Sequence, residues 1–270
     1  MRLDVRFADL LAIYRAELLE RVVPFWLEHA LDQRHGGILT CISDQGDVLS
    51  TDKYMWSQLR ALWTFSALYN RIEPRTEWLD AARQIYAFVE AYGRDAEGRW
   101  VFAVDQDGHV LEGATSIYAD GFAIYGLTEY ARATDDRAAI ELALETYANV
   151  QARLAQPGSY TTAPYPLPPG TKSHGVAMIF SLTFHELGLL LNDEKILTAG
   201  LQLAEDILDN FVQPDRQLLL EYIHLDDTTI DSPQGRAIVP GHAIESMWFL
   251  IHIFQHWQYE SRIHQAVEVI

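Results

Sequence analysis

The chain has 270 residues, 49% of them hydrophobic, and its 38 acidic residues against 20 basic ones give a formal net charge of −18. This charge excludes a nucleic-acid backbone or an anionic membrane surface as the binding partner, because both would be repelled. The single cysteine, Cys41, excludes an intrachain disulfide framework and a metal cluster built on thiolates.

The N-terminal segment MRLDVRFADLLAIYRAELLERVVPFW is amphipathic and lacks the apolar core and cleavage site of a signal peptide. Along the chain, no window approaches the roughly 18 uninterrupted apolar residues of a membrane span. We therefore expect a cytoplasmic protein that binds a small molecule and neither nucleic acid nor membrane.

Three segments then repeat one plan: a turn with Asp and Gly, a polar loop, and an apolar helix that opens on polar or aromatic residues. They are ISDQGDVLSTDKYMWSQLRALWTFSALY, VDQDGHVLEGATSIYADGFAIYGLTEYA and HLDDTTIDSPQGRAIVPGHAIESMWFLIHIF. Their alignment pairs Gly46 with Gly108 and Arg60 with Phe122, about 62 positions apart, and sets Glu245 in the column of Arg60. A period of this length indicates a helical repeat.

Other segments between these helices carry apolar residues at helical spacing, as in WLDAARQIYAFVEAYG, and SHGVAMIFSLTFHELGLLL supplies the helix expected near residue 180. Each period is thus a helical hairpin, and GGILTCIS and GRWVFAVDQDGHV predict small β-hairpin insertions. Repeated helix pairs form either an open solenoid or a closed ring. Polar and aromatic residues at the helix starts favour the ring, an all-α fold of the (α/α)6-barrel type.

The length conflicts with a closed ring, since six hairpins of about 62 residues need roughly 370 residues. The chain holds about four to five hairpins, and RIHQAVEVI reads as the middle of a helix without a stop signal. We expect one barrel domain over residues 1–270, incomplete at its C-terminal end.

Candidate catalytic residues begin with VPGHAIESMW, in which Pro240 and Gly241 break any preceding helix. His242 then lies in the first turn of a helix, with Glu245 one turn later on the same face. The helix macrodipole disfavours imidazolium, which predicts a neutral His242 able to accept a proton. The alternative is a capping histidine beside a dipole-compensating glutamate.

Arg60 is the third catalytic candidate, because an arginine between apolar turns is seldom buried without a partner and would point into a polar pocket. There it could stabilise an oxygen that becomes negative during reaction; the alternative is a surface arginine. For Asp120 a helix cap is an equally good interpretation. The residues predicted to line the pocket and bind substrate are Tyr54, Trp56, Gln58, Tyr118, Asp120, Met178 and Trp248.

Other motifs carry little weight. His252 and His256 have the spacing of metal ligands, but no HExxH pattern or nearby carboxylate reinforces them, so we expect no metal site. His174 and His185 are interpreted as solvent-exposed or core histidines. The motifs GxGxxG, GxxxxGK[ST] and GxSxG are absent from the sequence.

Five stretches, in this order, resemble the N-acylglucosamine 2-epimerase family across essentially the whole chain. They are HGGILTCISDQGDVLSTDKYMWSQLRALWTFSALYNR, GRDAEGRWVFAVDQDG, SIYADGF, YTTAPYP with GVAMIFSLT, and VPGHAIESMWFLI. The resemblance is closer to the N-acetylglucosamine epimerases than to the cellobiose 2-epimerases or aldose-ketose isomerases. Those relatives usually carry a histidine where this chain has Ala177-Met178-Ile179.

The resemblance implies an (α/α)6 barrel and reversible inversion at C2, here of N-acetylglucosamine and N-acetylmannosamine. It implies that Arg60 stabilises an enediolate, that His242 is an acid–base residue, and that Glu245 assists it or holds substrate. No cofactor is required, although the family permits ATP as an allosteric activator; a homodimer is also permitted.

The chain departs from the family at its end. In the family a second histidine and another glutamate lie in the last third, beyond Ile270, and no residue of this chain matches them. We therefore expect little or no epimerisation from these 270 residues alone. Three other functions stay open: a related aldose-ketose isomerase or cellobiose 2-epimerase, a glycoside hydrolase or lyase using Glu245 and Asp120, and a sugar-binding module without turnover.

Overall fold

The protein is described by a computed structural model that covers residues 6–156 and 158–270. A leading helix, α1 (Phe7–Glu17), passes through a π-helical turn into α2 (Val23–His29). The remaining helices are α3 (Met55–Ala67), α4 (Thr76–Tyr92), α5 (Ile117–Thr134), α6 (Arg137–Leu154), α7 (His174–Leu191), α8 (Glu194–Asp206), α9 (Pro240–Trp257) and α10 (Glu260–Val269).

These helices form four hairpins, α3–α4, α5–α6, α7–α8 and α9–α10, in which each first helix packs on the second. The first helices also pack on one another in order, α3 on α5, α5 on α7 and α7 on α9. They therefore make an inner row, with α4, α6, α8 and α10 outside it. The predicted all-α fold of helical hairpins is confirmed.

Local sequence explains the helix ends and faces. Asp136 and Asp193 cap α6 and α8 by accepting hydrogen bonds from backbone N–H groups of the first turn. The outer helix α4 is amphipathic, whereas α7 is buried along most of its length. By length and composition α7 could cross a membrane, but 83% of it is buried inside the protein, as in the core helix of a folded domain.

The strands are short and antiparallel. They are β1 (Cys41–Ile42), β2 (Val48–Ser50), β3 (Lys53–Tyr54), β4 (Ala103–Val104), β5 (Val110–Glu112), β6 (Thr171–Ser173), β7 (Val212–Gln213), β8 (Leu218–Leu219) and β9 (Tyr222–His224). The predicted insertions are confirmed as the hairpins β1–β2 and β4–β5, and β3 joins the second of these. A long-range pair, β6 with β9, joins segments far apart in the sequence.

The structure confirms the internal repeat at its turns. Gly46 and Gly108 both have φ of +89°. A side chain at either position would also collide with an aromatic ring, since a Cβ would lie 2.4 Å from His29 and 2.1 Å from Tyr92. The two glycines are therefore required for the same reason, a left-handed turn pressed against the end of the preceding helix.

Residues in equivalent positions of the repeat are neighbours on adjacent inner helices. The Arg60 guanidinium lies 4.4 Å from the centre of the Phe122 ring. The Trp63 and Tyr125 rings stack at 4.7 Å with an interplanar angle of 12°. Residues in one column of the alignment therefore contact each other across adjacent inner helices.

An ion network built on two buried carboxylates links the inner helices toward their C-terminal ends. The Glu129 carboxylate binds Arg132 and lies 2.6 Å from Arg71, which follows α3. Glu186 of α7 lies 3.2 Å from Arg132 and 3.4 Å from His252. The sequence indicated no carboxylate near His252; the fold supplies Glu186.

Candidate active site

One cavity lies where the inner helices begin. It has a volume of about 510 Å³, within the size range of small-molecule sites. Its walls come from the first turns of α3, α5, α7 and α9 and from the loops that precede them. The lining residues are Trp56, Arg60, Tyr118, Phe122, Thr162, Ala163, Pro164, Tyr165, Ser173, Gly175, Met178, Ile179, Glu221, Tyr222, Val239, His242 and Glu245.

A second cavity of about 670 Å³ lies between the β7–β8 hairpin, the start of α9 and helix α10. Two of its charged residues, Arg262 and Asp209, are paired with each other at 2.6 Å. The 510 Å³ cavity instead gathers histidine, glutamate and an arginine that pairs with no carboxylate among the described residues, so we take it as the candidate site although it is smaller.

Helix α9 begins as the sequence predicts. Pro240 is its first residue, and no side chain caps its N-terminus among the described residues. His242 therefore lies in the first turn and Glu245 one turn on, and both line the cavity. The helix therefore begins with a histidine and a glutamate instead of a capping residue, and these two titratable groups lie at the cavity rim.

The structure gives His242 a partner that the sequence did not indicate. Its Nδ1 lies 3.1 Å from Oε2 of Glu221, a buried carboxylate. Burial acts to raise the pKa of Glu221, yet the neighbouring imidazoles of His174 and His242 lower it to about 2, so the carboxylate is ionised at neutral pH.

This contact acts on the pKa of His242 in the opposite direction to the helix macrodipole. The hydrogen bond with Glu221 raises the pKa of His242 above its ordinary value, against the opposing effect of partial burial. The adjacent carboxylate outweighs the helix macrodipole because the dipole offers only partial charges. Glu221 also fixes the orientation of the ring, leaving Nε2 as the nitrogen without a hydrogen bond to any described residue.

Long-range strand pairing brings Glu221 to the site. Ser173 of β6 pairs with Tyr222 of β9, which sets His174 and Glu221 side by side, with the His174 amide 2.9 Å from the Glu221 carbonyl oxygen. His174 is fully buried here, so the core alternative for this residue is the correct one. No motif in the sequence signals this pairing.

Gly175 keeps the centre of the site open. A Cβ at this position would lie 2.8 Å from the Tyr118 hydroxyl, 3.2 Å from Oε1 of Glu221 and 3.6 Å from Cε1 of His242. Any side chain would therefore fill the space between these three groups. Burial raises the pKa of Tyr118 and the Glu221 charge adds to this, so the phenol keeps its proton.

Arg60 faces the same cavity with its charge uncompensated. Its guanidinium lies on the Phe122 ring, and within residues 6–156 and 158–270 it forms no ion pair. A cation held by an aromatic face keeps its hydrogen-bond donors free for a ligand. Arg60 can therefore bind an oxygen that carries negative charge.

Six of the ten predicted site residues line this cavity: Trp56, Arg60, Tyr118, Met178, His242 and Glu245. Gln58 and Asp120 do not line the cavity, and the same helix geometry explains both cases. Each lies two residues after a lining residue, which is about 200° around a helix. Gln58 is fully buried and binds the backbone of Ile38, while Asp120 pairs with Arg153.

Tyr54 and Trp248 also lie outside the cavity lining. Tyr54 belongs to β3, before the helix begins, and its ring packs edge-on against Phe102 at 5.7 Å. Trp248 is one turn beyond Glu245 along α9, where it is 58% exposed and parallel to the His252 ring. The lining begins at Trp56 on α3 and ends at Glu245 on α9, so both residues lie just outside it.

A cavity with this lining can move a proton and stabilise a negative charge. His242 oriented by Glu221 is an acid–base group, and Arg60 is a fixed cation. Tyr118 and Glu245 can form hydrogen bonds with a polar ligand, while Trp56, Phe122 and Met178 give it apolar walls.

Comparison with known proteins gives this site a family context. A family model described as N-acylglucosamine 2-epimerase (GlcNAc 2-epimerase) matches residues 36–270. An N-acylglucosamine 2-epimerase of Bos taurus is 31% identical over 245 residues, which are 87% of this chain and 57% of the relative. A cellobiose 2-epimerase of Bacteroides fragilis is 34% identical over 138 residues, covering 50% of this chain and 35% of its own.

Among solved structures, the cellobiose 2-epimerase from Bacillus thermoamylovorans B4167 superposes with a TM-score of 0.84 at 18% identity, covering 97% of this chain and 71% of that one. This likeness confirms the expected barrel-type fold. The chain spans about 57% of the length of the Bos taurus relative.

Proposed function

The chain belongs to the N-acylglucosamine 2-epimerase family, and on that premise we propose that its cavity is the active site for reversible C2 epimerisation of N-acetylglucosamine and N-acetylmannosamine. The proposal rests on one observation: Arg60 and His242 line the same cavity, and His242 is hydrogen-bonded to Glu221. A proton-transfer group on one face of C2 and a fixed cation supply proton removal, whereas return of a proton to the opposite face needs a second acid–base group.

Epimerisation at C2 begins with the open-chain sugar, whose C1 carbonyl acidifies the neighbouring C–H bond. A base removes the C2 proton, and the electrons of that bond move toward O1 to give an enolate whose negative charge lies on O1. Return of a proton to the opposite face of C2 gives the epimer, and the carbonyl re-forms.

His242 is the acid–base group in this scheme, acting through Nε2 because Glu221 holds Nδ1. In its neutral form it removes the proton, and as imidazolium it returns one. The raised pKa of His242 favours the imidazolium, the form that donates. A positioned group of this kind contributes roughly 10²–10⁴-fold in rate.

Arg60 stabilises the intermediate. The C1 oxygen gains negative charge as the C2 proton leaves, and a cation already in place costs no reorganisation at that moment. Glu245, one turn from His242 on the cavity rim, holds a sugar hydroxyl or assists the histidine.

The test is proton exchange at C2. The purified chain is incubated with N-acetylmannosamine in deuterium oxide, and NMR follows loss of the C2–H signal and the appearance of N-acetylglucosamine. Exchange measures proton removal by itself, so it reports on His242 even where inversion does not follow.

Matched variants sharpen this test. We expect His242→Ala and Arg60→Met each to slow exchange about 100-fold or more. The controls are His109→Ala and Arg83→Met, which remove exposed side chains away from the cavity. Equal exchange by wild type and His242→Ala would show that His242 is not the base.

The same experiment separates the alternative functions. With glucose or mannose as substrate, an aldose-ketose isomerase forms a ketose, whereas an epimerase exchanges C2 and leaves the aldose; cellobiose tests the cellobiose 2-epimerase activity. Calorimetric binding of N-acetylglucosamine without exchange would identify a binding module. Activation by ATP, a homodimer and a cytoplasmic location stay predictions.

A further inference from the structure

His174 has an unusual hydrogen-bonding arrangement. It is fully buried, and its Nε2 is within hydrogen-bond distance of the Ser246 hydroxyl. That hydroxyl donates its only proton to the backbone carbonyl oxygen of His242, so it must accept from His174. The proton of a neutral His174 is therefore on Nε2, and Nδ1 carries a lone pair.

This lone pair has no partner: no hydrogen bond reaches Nδ1 of His174 from any residue that the structure describes. It faces Oε2 of Glu221 at 3.7 Å, too far for a hydrogen bond. Two electron-rich atoms opposed in a buried position are unfavourable, whereas a cation between them would satisfy both.

A third donor completes the set. Nδ1 of His242 lies 3.1 Å from the same Glu221 oxygen, and the three donor atoms all lie within 4.8 Å of one another. Donors bound about 2.0–2.1 Å from a tetrahedral Zn²⁺ lie about 3.3 Å apart, and the two distances to Glu221, 3.1 and 3.7 Å, bracket this value.

The cavity offers the remaining coordination position. Glu221 and His242 both line it, and the missing side chain at Gly175 leaves the space beside them clear. We propose that His174, Glu221 and His242 form a binding site for a divalent transition-metal ion of the Zn²⁺ class, with the fourth position open to water or ligand.

The metal site is not part of the proposed function, and a metal ion bound there would act against C2 exchange. A metal ion bound by Nδ1 of His242 and by Glu221 breaks their hydrogen bond and places a positive charge beside the acid–base group. Occupancy therefore inhibits C2 exchange; this consequence alone rests on the proposed function.

The test uses chelator-treated protein without sugar. Co²⁺ is titrated and followed by its visible absorption bands, and Zn²⁺ binding is measured by calorimetry. We expect one strong site. Loss of a ligand in His242→Ala or Glu221→Gln should weaken binding by more than the roughly 10–100-fold cost of losing an outer-shell partner. His242 is partly exposed, so its variant folds, which circular dichroism verifies.

The control is an exposed cluster in the β4–β5 turn, Asp105, Asp107 and His109. Binding abolished by His109→Ala but unchanged in His242→Ala and Glu221→Gln overturns the proposal. Absence of Co²⁺ and Zn²⁺ binding overturns it as well. Metal binding is measured without sugar, so a failure to bind metal leaves the epimerase proposal intact. Absence of C2 exchange by the metal-free protein counts against the epimerase proposal and leaves the metal-site proposal intact.

Discussion

Protonation of His185 should control the acid stability of the fold. His185 lies on α7, is fully buried, and packs 5.3 Å between ring centres from both His252 and His256. Neither of its ring nitrogens is hydrogen-bonded to any described part of the chain. Burial lowers the pKa of His185 to about 4, with the charge of His252 acting in the same direction and Glu186 opposing it.

The magnitude follows from linkage between protonation and folding. The pKa falls from 6.5 to about 4 on folding, and each pKa unit corresponds to about 1.4 kcal/mol. Between these pH values the unfolded chain takes up a proton that the folded chain does not. The free energy of unfolding should therefore fall by about 3 kcal/mol as the pH decreases from above 6.5 to below 4.

Urea denaturation at a series of pH values measures this contribution. His185→Phe keeps an aromatic ring but cannot titrate, so its free energy of unfolding should lose this part of the pH dependence. His109→Gln, at an exposed histidine, should retain it. The pKa of Glu186 is lowered from 4.5 to about 2, so its own contribution to stability is lost mainly as the pH falls below 4.5. Equal slopes for wild type and His185→Phe between pH 6.5 and 4.5 would refute the reasoning.

Three further substitutions test the site and the fold. Gly175→Ala should reduce C2 exchange at least about tenfold, because its Cβ would lie 2.8 Å from the Tyr118 hydroxyl and would fill the centre of the cavity. The melting temperature should not fall, because alanine favours a helix more than glycine does. Unchanged exchange would show that the open space beside Gly175 is not needed for the reaction. Glu129→Ala should lower the free energy of unfolding by about 2 kcal/mol in urea, since it removes the buried carboxylate that binds Arg71 and Arg132 and leaves both arginines with Glu186 alone, at 3.4 and 3.2 Å. Gly108→Ala should destabilise the fold by more than about 1 kcal/mol, whereas Gly113→Ala, with nothing within 4 Å, should not.

Sequence periodicity was sufficient for much of the fold. The alignment of Gly46 with Gly108 predicted two equivalent turns, which share a φ of +89° in the structure, and the helix start at residue 240 follows from Pro240 and Gly241. These features depend on residues close together in the chain. The cavity lining was predicted less well, because an alignment column does not say which side of a helix a residue occupies.

By itself, then, the sequence determined the helical hairpins, their repeat and the placing of Arg60, His242 and Glu245 at the starts of inner helices. Only the tertiary structure decided the direction in which the pKa of His242 is shifted and the groups that surround its ring. Glu221 reaches that ring through the pairing of β6 with β9, between segments 48 residues apart. Short strands of this kind carry little local signal, and a buried carboxylate changes a pKa only once the fold brings it within hydrogen-bond distance.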